Sequence, residues 1–322
     1  MKKFSKTRCS DFSTLIKEEL AGSAPVWDRL IVISLPLPWV GNINKSTQFH
    51  KLFNKKIDCI KDKLKLFRFQ FVVPDKDYQS EHLTKIFFFN TNSNHAYFSK
   101  FNKMEFDVPK EKISEFLFDL IENNEKYLVE YTTKANNLRD LFVCTHVNRD
   151  ICCGVIGMPI YKILKERFID YEASKTRVWR MSHLGGHKYA PNVLDMPSGR
   201  FWGRFKPSNI EDIFGLNVNP KKIIDYYRGS VGLNSSYEQL FESRILFDSQ
   251  NINYKIISDI NMLNSKLAKI TMERIYEFNN QKSTYTGVIK LNGYTKSIDC
   301  VSGIANIDTP KYEIDSFKKY ND

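Results

Sequence analysis

Two short segments restrict this chain more than anything else in it. They are Cys144-Thr-His-Val-Asn-Arg-Asp-Ile-Cys152-Cys153-Gly154 and His183-Leu-Gly-Gly-His187. A pair of thiolates from the first and a pair of imidazoles from the second make four soft-to-borderline donors, a set suited to an iron–sulfur cluster or to zinc. A fold that uses them must bring a strand end, a helix start and the loop after the next strand to one point. The local patterns agree with that demand. Leu141 to Val143 is a short apolar strand ending at Cys144, and Cys153 begins a helix to Phe168, with Pro159 near its first turn or at a kink. Arg177 to Met181 is the next strand, with His183 just beyond it. The loop Thr145 to Asp150 can offer backbone N–H groups, and the helix start favours thiolate. The two glycines between His183 and His187 permit positive φ and close backbone approach.

The order of elements repeats. In the first part, Thr14 to Leu20 reads as a helix and Leu30 to Leu35 as a strand closed by Pro36-Leu-Pro38-Trp39. An amphipathic helix covers about Ser46 to Leu66, and Phe67 to Val73 alternates as a strand. Leu83 to Phe89 and Ala96 to Phe101 flank Asn90-Thr-Asn-Ser-Asn94 as a hairpin, and Glu111 to Ile121 is a helix. After the Arg177 strand, Asn192 to Met196 and Phe201 to Phe205 form a second hairpin about Pro197-Ser-Gly199, and Ile210 to Phe214 a helix. Both halves read strand–helix–strand–hairpin–helix, an order that resembles the thioredoxin fold with its second helix reduced to a loop. The expected architecture is α/β, with two degenerate thioredoxin-like halves. Residues 1–130 lack metal ligands, because Pro and Trp stand where the second half has Cys144; residues 131–217 carry the site. Residues 218–322 form a small α+β appendix. In it Pro220 to Tyr227 and Ser236 to Phe247 read as helices, and Leu267 to Phe278, Thr284 to Leu291 and Tyr294 to Val301 as strands. Asn292-Gly293 is a two-residue hairpin signal between the last two.

Composition matters for what it excludes. A net charge of +11 invites a nucleic-acid partner, but the densest basic stretch, Lys45 to Arg68, interleaves with Phe49, Leu52, Phe53, Ile57, Ile60 and Leu64 at helical spacing. Its lysines read as the solvated face of a helix. No stretch approaches the roughly eighteen apolar residues of a membrane span, and no apolar run follows the basic Met1 to Arg8. Six cysteines, two of them adjacent, do not make a disulfide framework. The expectation is a reduced, cytoplasmic protein with neither a nucleic-acid nor a membrane partner.

The chain resembles the sucrase/ferredoxin-like family, a branch of the thioredoxin-like 2Fe–2S ferredoxins, over most of residues 9 to 245. The resemblance rests on Cys9-Ser10, Gly22-Ser-Ala24, Leu35-Pro-Leu-Pro-Trp39, the Cys144 loop, Trp179-Arg-Met-Ser-His183-Leu-Gly-Gly-His187, Ala190-Pro191, Pro197-Ser-Gly199 with Gly203-Arg204, and Tyr227-Arg-Gly229. It implies one 2Fe–2S cluster held by Cys144, Cys153, His183 and His187, and an electron carrier exchanging with an unidentified donor and acceptor protein. Cys152 is the alternative to Cys153; the neighbouring Gly154 at the helix start favours Cys153. Nothing supports the "sucrase" of the family name, since no carboxylate pair stands out as an acid and nucleophile. Two thiolates and two neutral imidazoles leave an oxidised cluster near neutral. That is the reason histidine-for-cysteine replacement raises Rieske potentials from about −400 mV to between about −150 and +300 mV.

Two other readings use the same residues. One is a zinc-stabilised binding module, although structural zinc usually draws its cysteines from two to four residues apart. The other is a metal-free thiol oxidoreductase. Around the site, Arg149 and Asp150 could pair to fix the loop, Arg180 and Lys188 could dock an acidic partner, and His146 is a candidate ligand or hydrogen-bonding residue. Trp179 and Trp202 read as core, and Cys9, Cys59 and Cys300 as buried apolar thiols.

Overall fold

Along β1 (Arg29–Ser34) and β3 (Leu83–Asn90) the side chains sort by parity, as a strand buried on both faces requires. Ile31, Ile33, Ile86 and Phe88 enter one core cluster, with the helices Thr47–Phe53 and Ile113–Glu122 against it. Leu30, Val32, Phe87 and Phe89 enter another. This is a computed structural model, and it describes residues 8–53, 58–91, 97–98, 100–122, 129–133, 137–298 and 305–321.

Nine strands make the main sheet. With β2 (Arg68–Val72), β5 (Asn102–Pro109), β6 (Arg139–Cys144), β7 (Thr176–Met181), β8 (Asn192–Met196), β9 (Arg200–Gly203) and β10 (Tyr227–Ser230), the order is β10-β9-β8-β6-β7-β2-β1-β3-β5. β1 is parallel to β2 and antiparallel to β3, which pairs antiparallel with β5. The second half repeats this: β6 is parallel to β7 and antiparallel to β8, which pairs antiparallel with β9. The halves join where Val72 of β2 faces Met181 of β7, and Ser182 N–H donates to the Phe71 carbonyl. The fold is therefore mixed α/β, with the end of β7 lying at the seam between the two halves.

Charged residues are buried near that seam. Arg177 on β7 donates to Glu105 at 2.7 and 2.9 Å and to Asp140 at 2.8 Å. Lys85 bonds Glu105 at 2.8 Å, Lys103 bonds Asp140, and the Trp179 indole N–H donates to Asp140 at 2.9 Å. Burial alone would raise the Glu105 carboxyl, but the hydrogen bonds and charge of Arg177, with Lys85 and Lys103, outweigh it and hold the pKa down at about 2. A depressed folded-state pKa adds stability above the unfolded value of 4.5, and that stability is lost as pH falls toward 2. Urea midpoints should thus stay level from neutrality to about pH 5 and drop below it, and Glu105→Gln should flatten the drop. An equally steep drop in Glu105→Gln would assign it to other carboxylates.

The second sheet is larger than a small appendix suggests. It is ordered β14-β13-β12-β11-β4, from β4 (Tyr97–Phe98), β11 (Tyr254–Asn264), β12 (Leu267–Tyr276), β13 (Lys282–Ile298) and β14 (Ala305–Asn321). The Ser236–Phe247 helix packs on it through Phe241 and Ile245, in one core with Ile270, Met272 and Tyr285.

Several expectations need correction. Asn292-Gly293 does not turn the chain: β13 runs through it, and the pairing with β14 slips between Leu291 and Tyr294. Gly293 there has φ +85°, a bulge rather than a hairpin. β3 pairs with Asn102–Pro109, not with 96–101, whose Tyr97 and Phe98 pair with β11; residues 92–96 lie outside the described part. The helix expected over 46–66 is Thr47–Phe53, then a short turn Asp58–Ile60 and Lys61–Leu64, with 54–57 outside the described residues. The first helix is Cys9–Leu15, earlier than Thr14 to Leu20. No helix among the described residues is long and apolar enough to cross a membrane.

Candidate metal centre

The site forms where β6 and β7 end side by side. Cys144 pairs with Met181 across the parallel ladder, and Thr145 N–H donates to the Met181 carbonyl at 3.0 Å. The chain then enters the loop to the Ile151–Arg167 helix, which starts two residues before Cys153 rather than at it. Asp150 is the cap: its carboxylate accepts from Cys152 N–H at 2.8 Å, which satisfies one unpaired donor of the first turn. Pro159 lies well inside the helix, which continues past it. The helix can press against the Cys144 strand because residue 157 is glycine; a Cβ there would overlap the Cys144 carbonyl.

Both adjacent cysteines are buried in that first turn, and they point into different surroundings. Cys153 Sγ lies 3.4 Å from His183 Nδ1, with Cys144 Sγ at 4.0 Å. The donor atoms of Cys144, Cys153 and His183 lie within 4.8 Å of one another. Cys152 Sγ instead lies 3.5 Å from Cys9 Sγ and accepts from the Ser10 hydroxyl at 3.6 Å, in a pocket with Phe12, Ala190 and Ile298. Cys9 is buried but is not a free thiol, Cys59 is exposed, and Cys300 lies outside the described residues. His187 stands outside the three-donor group. Its ring centroid is 5.8 Å from that of His183, and its Nδ1 is 3.8 Å from the Asp150 carboxylate.

The thiols are electrostatically unlike. A hydrogen bond from Cys153 holds the Cys144 thiol well below its ordinary value against the cost of burial, with His183 adding to the effect. The same contact and burial push Cys153 up. Burial also raises Cys152. His187 is lowered by burial, against the attraction of Asp150.

Neighbours fix the histidine loop. His183 N–H donates to His146 Nδ1 at 3.3 Å, so the opposite nitrogen of His146 carries the proton and faces the Trp39 carbonyl at 3.4 Å. Both ring nitrogens of His146 are thereby engaged, in hydrogen bonding rather than ligation. Gln70 Nε2 donates to the His183 carbonyl at 3.1 Å. No ion pair joins Arg149 to Asp150 among the described residues; Asp150 is occupied by the cap and His187. Lys188 turns inward to Glu18, Ser297 and Thr309 and is not a docking charge. Trp179 and Trp202 are core.

Arg228 is the residue that sequence reasoning left without a role. Its buried guanidinium donates to the Gly185 carbonyl at 3.1 Å, to Asn192 Oδ1 at 2.7 Å and to the Ser23 carbonyl at 2.5 Å, and it stacks 4.4 Å over Phe201. Asn192 in turn donates to the Gly186 carbonyl at 2.9 Å. Burial pushes Arg228 down to about 10, against the opposing influence of Tyr189 and Cys144. Its one signal was the Tyr227-Arg-Gly229 run. Gly186 has φ +69°, and a Cβ there would overlap the Arg228 guanidinium. Gly186→Ala should therefore cost about 1–3 kcal/mol in urea unfolding. A loss no larger than that of an exposed-loop alanine would count against this packing.

A cavity of about 890 Å³ lies elsewhere, at Arg139, Asp195 and Arg200; its Arg139 is already paired with Asp195 at 2.7 Å.

Fold and site together define a mixed α/β protein with a buried cysteine–histidine donor set at a sheet seam. The chain belongs to the sucrase/ferredoxin-like family, whose sequence model matches residues 20–229. Among curated proteins it is similar to Altered inheritance of mitochondria protein 32 of Debaryomyces hansenii, 37% identical over 118 residues, covering 33% of this chain and 41% of that protein. It is also similar to Actin patches distal protein 1 of Saccharomyces cerevisiae, 27% identical over 144 residues, covering 39% and 46%. The matched segments span less than half the length of these relatives. No solved structure matches the chain.

Proposed function

We propose that the chain is an electron-transfer protein that holds one 2Fe–2S cluster through Cys144, Cys153, His183 and His187. The supporting observation is the buried convergence of Cys144, Cys153 and His183 within 4.8 Å, with His187 beside but outside that group. Cys144, Cys153 and His183 alone would give a single zinc ion three ligands and leave its fourth position open, with His187 unused. A wider set with no carboxylate in the inner group fits a dinuclear iron centre better. Bound there, the cluster would supply one-electron transfer. The protein's part is to hold the donors, keep water from the thiolates and leave His187 facing outward. On this reading each half is thioredoxin-like, as their shared strand pattern suggests, and the donor and acceptor are redox proteins. A cytoplasmic setting, without nucleic-acid or membrane partners, is proposed with it.

One observation favours a metal-free dithiol: Cys144 and Cys153 share a hydrogen bond with their thiols driven apart in acidity. Both are 1% exposed, however, which leaves a substrate disulfide no approach. Iron and acid-labile sulfide analysis of the anaerobically prepared protein, with its visible spectrum, tests the proposal. Equal iron and sulfide with a 2Fe–2S spectrum supports it; zinc, or no metal after reconstitution, overturns it.

A further inference from the structure

A cavity of about 200 Å³ opens beside His183, between the Gly41–Asn44 turn and β2. Its lining includes Arg68, Arg149, Asn44, His146 and His183, and no carboxylate. Arg68 is partly buried at the start of β2, and that burial pushes its pKa down, with no acidic group counteracting. No ion pair among the described residues engages Arg68 or Arg149. A guanidinium withdrawn from water without a counter-charge is unfavourable, and a bound anion removes the penalty. Arg149 is exposed at the rim, placed to close on such an anion. His146 and Gln70 are held by Trp39, Ser182 and the His183 backbone, so the free donors of the cavity are the two guanidinium groups and Asn44.

We propose that this cavity is a binding site for a small oxyanion, of phosphate or carboxylate type, held between Arg68 and Arg149 against the imidazole of His183. Two guanidinium forks match the paired oxygens of either group. The site stands on the cavity's own charges and does not require a cluster. Where the proposed cluster is present, a bound anion would place negative charge beside a ligand and lower the potential.

Calorimetric titration of the full-length protein with inorganic phosphate, and separately with malonate, tests the site at an ionic strength held constant with chloride. Saturable binding of either anion is expected, weakened about tenfold or more by Arg68→Gln and by Arg149→Gln, as loss of a charged hydrogen-bonding partner implies. Lys296→Gln, at an exposed pair with Asp308, should leave it unchanged. Phosphate binding without malonate binding would identify the ligand as a phosphate; the reverse would identify a carboxylate. Absence of saturable binding by both, or equal affinity in wild type and both arginine variants, would overturn the proposal. Iron content measured on the same samples keeps this result separate from that of the cluster.

Discussion

Serine in place of Cys153 is expected to abolish the absorption of the proposed iron–sulfur cluster, whereas serine at the adjacent Cys152 should leave it intact. The two side chains differ by one position in one helical turn, yet Cys153 faces His183 at 3.4 Å and Cys152 faces Cys9 at 3.5 Å. A helix rotates neighbours by about 100°, which turns these two thiols into different surroundings. Iron per chain and the visible spectrum, read on both variants prepared alike, decide the matter. If Cys152→Ser bleaches the protein and Cys153→Ser does not, the ligand assignment is wrong. Changing Arg228 to Met should give an intermediate result, with metal affinity lower by about 10–100-fold, as for other residues that orient ligands from behind.

The second large effect lies in the core. Arg177→Ala should destabilise the fold by about 3–5 kcal/mol, because it strands Glu105 and Asp140 as buried carboxylates short of a partner. Lys85 and Lys103 remain to neutralise part of that charge, so a loss toward the lower end of the range is expected. Lys296→Ala, which breaks an exposed pair with Asp308, should cost below about 1 kcal/mol. Equilibrium urea unfolding of the two variants compares them directly. Equal losses would mean that the buried network carries no more than a surface pair.

Much of this was legible in local pattern. The hairpin over 192–203 follows from Pro197-Ser-Gly199 between two apolar runs, and the Ser236–Phe247 helix begins at a serine cap. The convergence of Cys144, Cys153 and His183 was legible as well, since rare residue types stood at the ends of elements. What failed depended on distant partners. Asn292-Gly293 is turn chemistry by itself, but β14, a seventeen-residue strand, pairs with β13 on both sides of it, and that pairing outweighs the local preference. The segment after residue 90 was given a neighbour in sequence, whereas Tyr97 and Phe98 join a sheet whose other strands begin at Tyr254. Arg228, Gln70 and Trp39 support the histidine loop from outside the segment that carries it, and no spacing rule links them to His183.

That last arrangement has a bearing on how the ligand loops can be moved between proteins. The carbonyls and amides around His183 are satisfied by Trp39 and Gln70, acting directly or through His146, and by Ser23 and Arg228 through Gly185. A piece cut at the sheet seam would carry all four candidate ligands and keep Arg228 and Asn192, but lose Trp39, Gln70 and Ser23. The half without ligands is thus no vestige. It is the other wall of the pocket, and the cysteine–histidine site is a property of the doubled sheet rather than of one portable module.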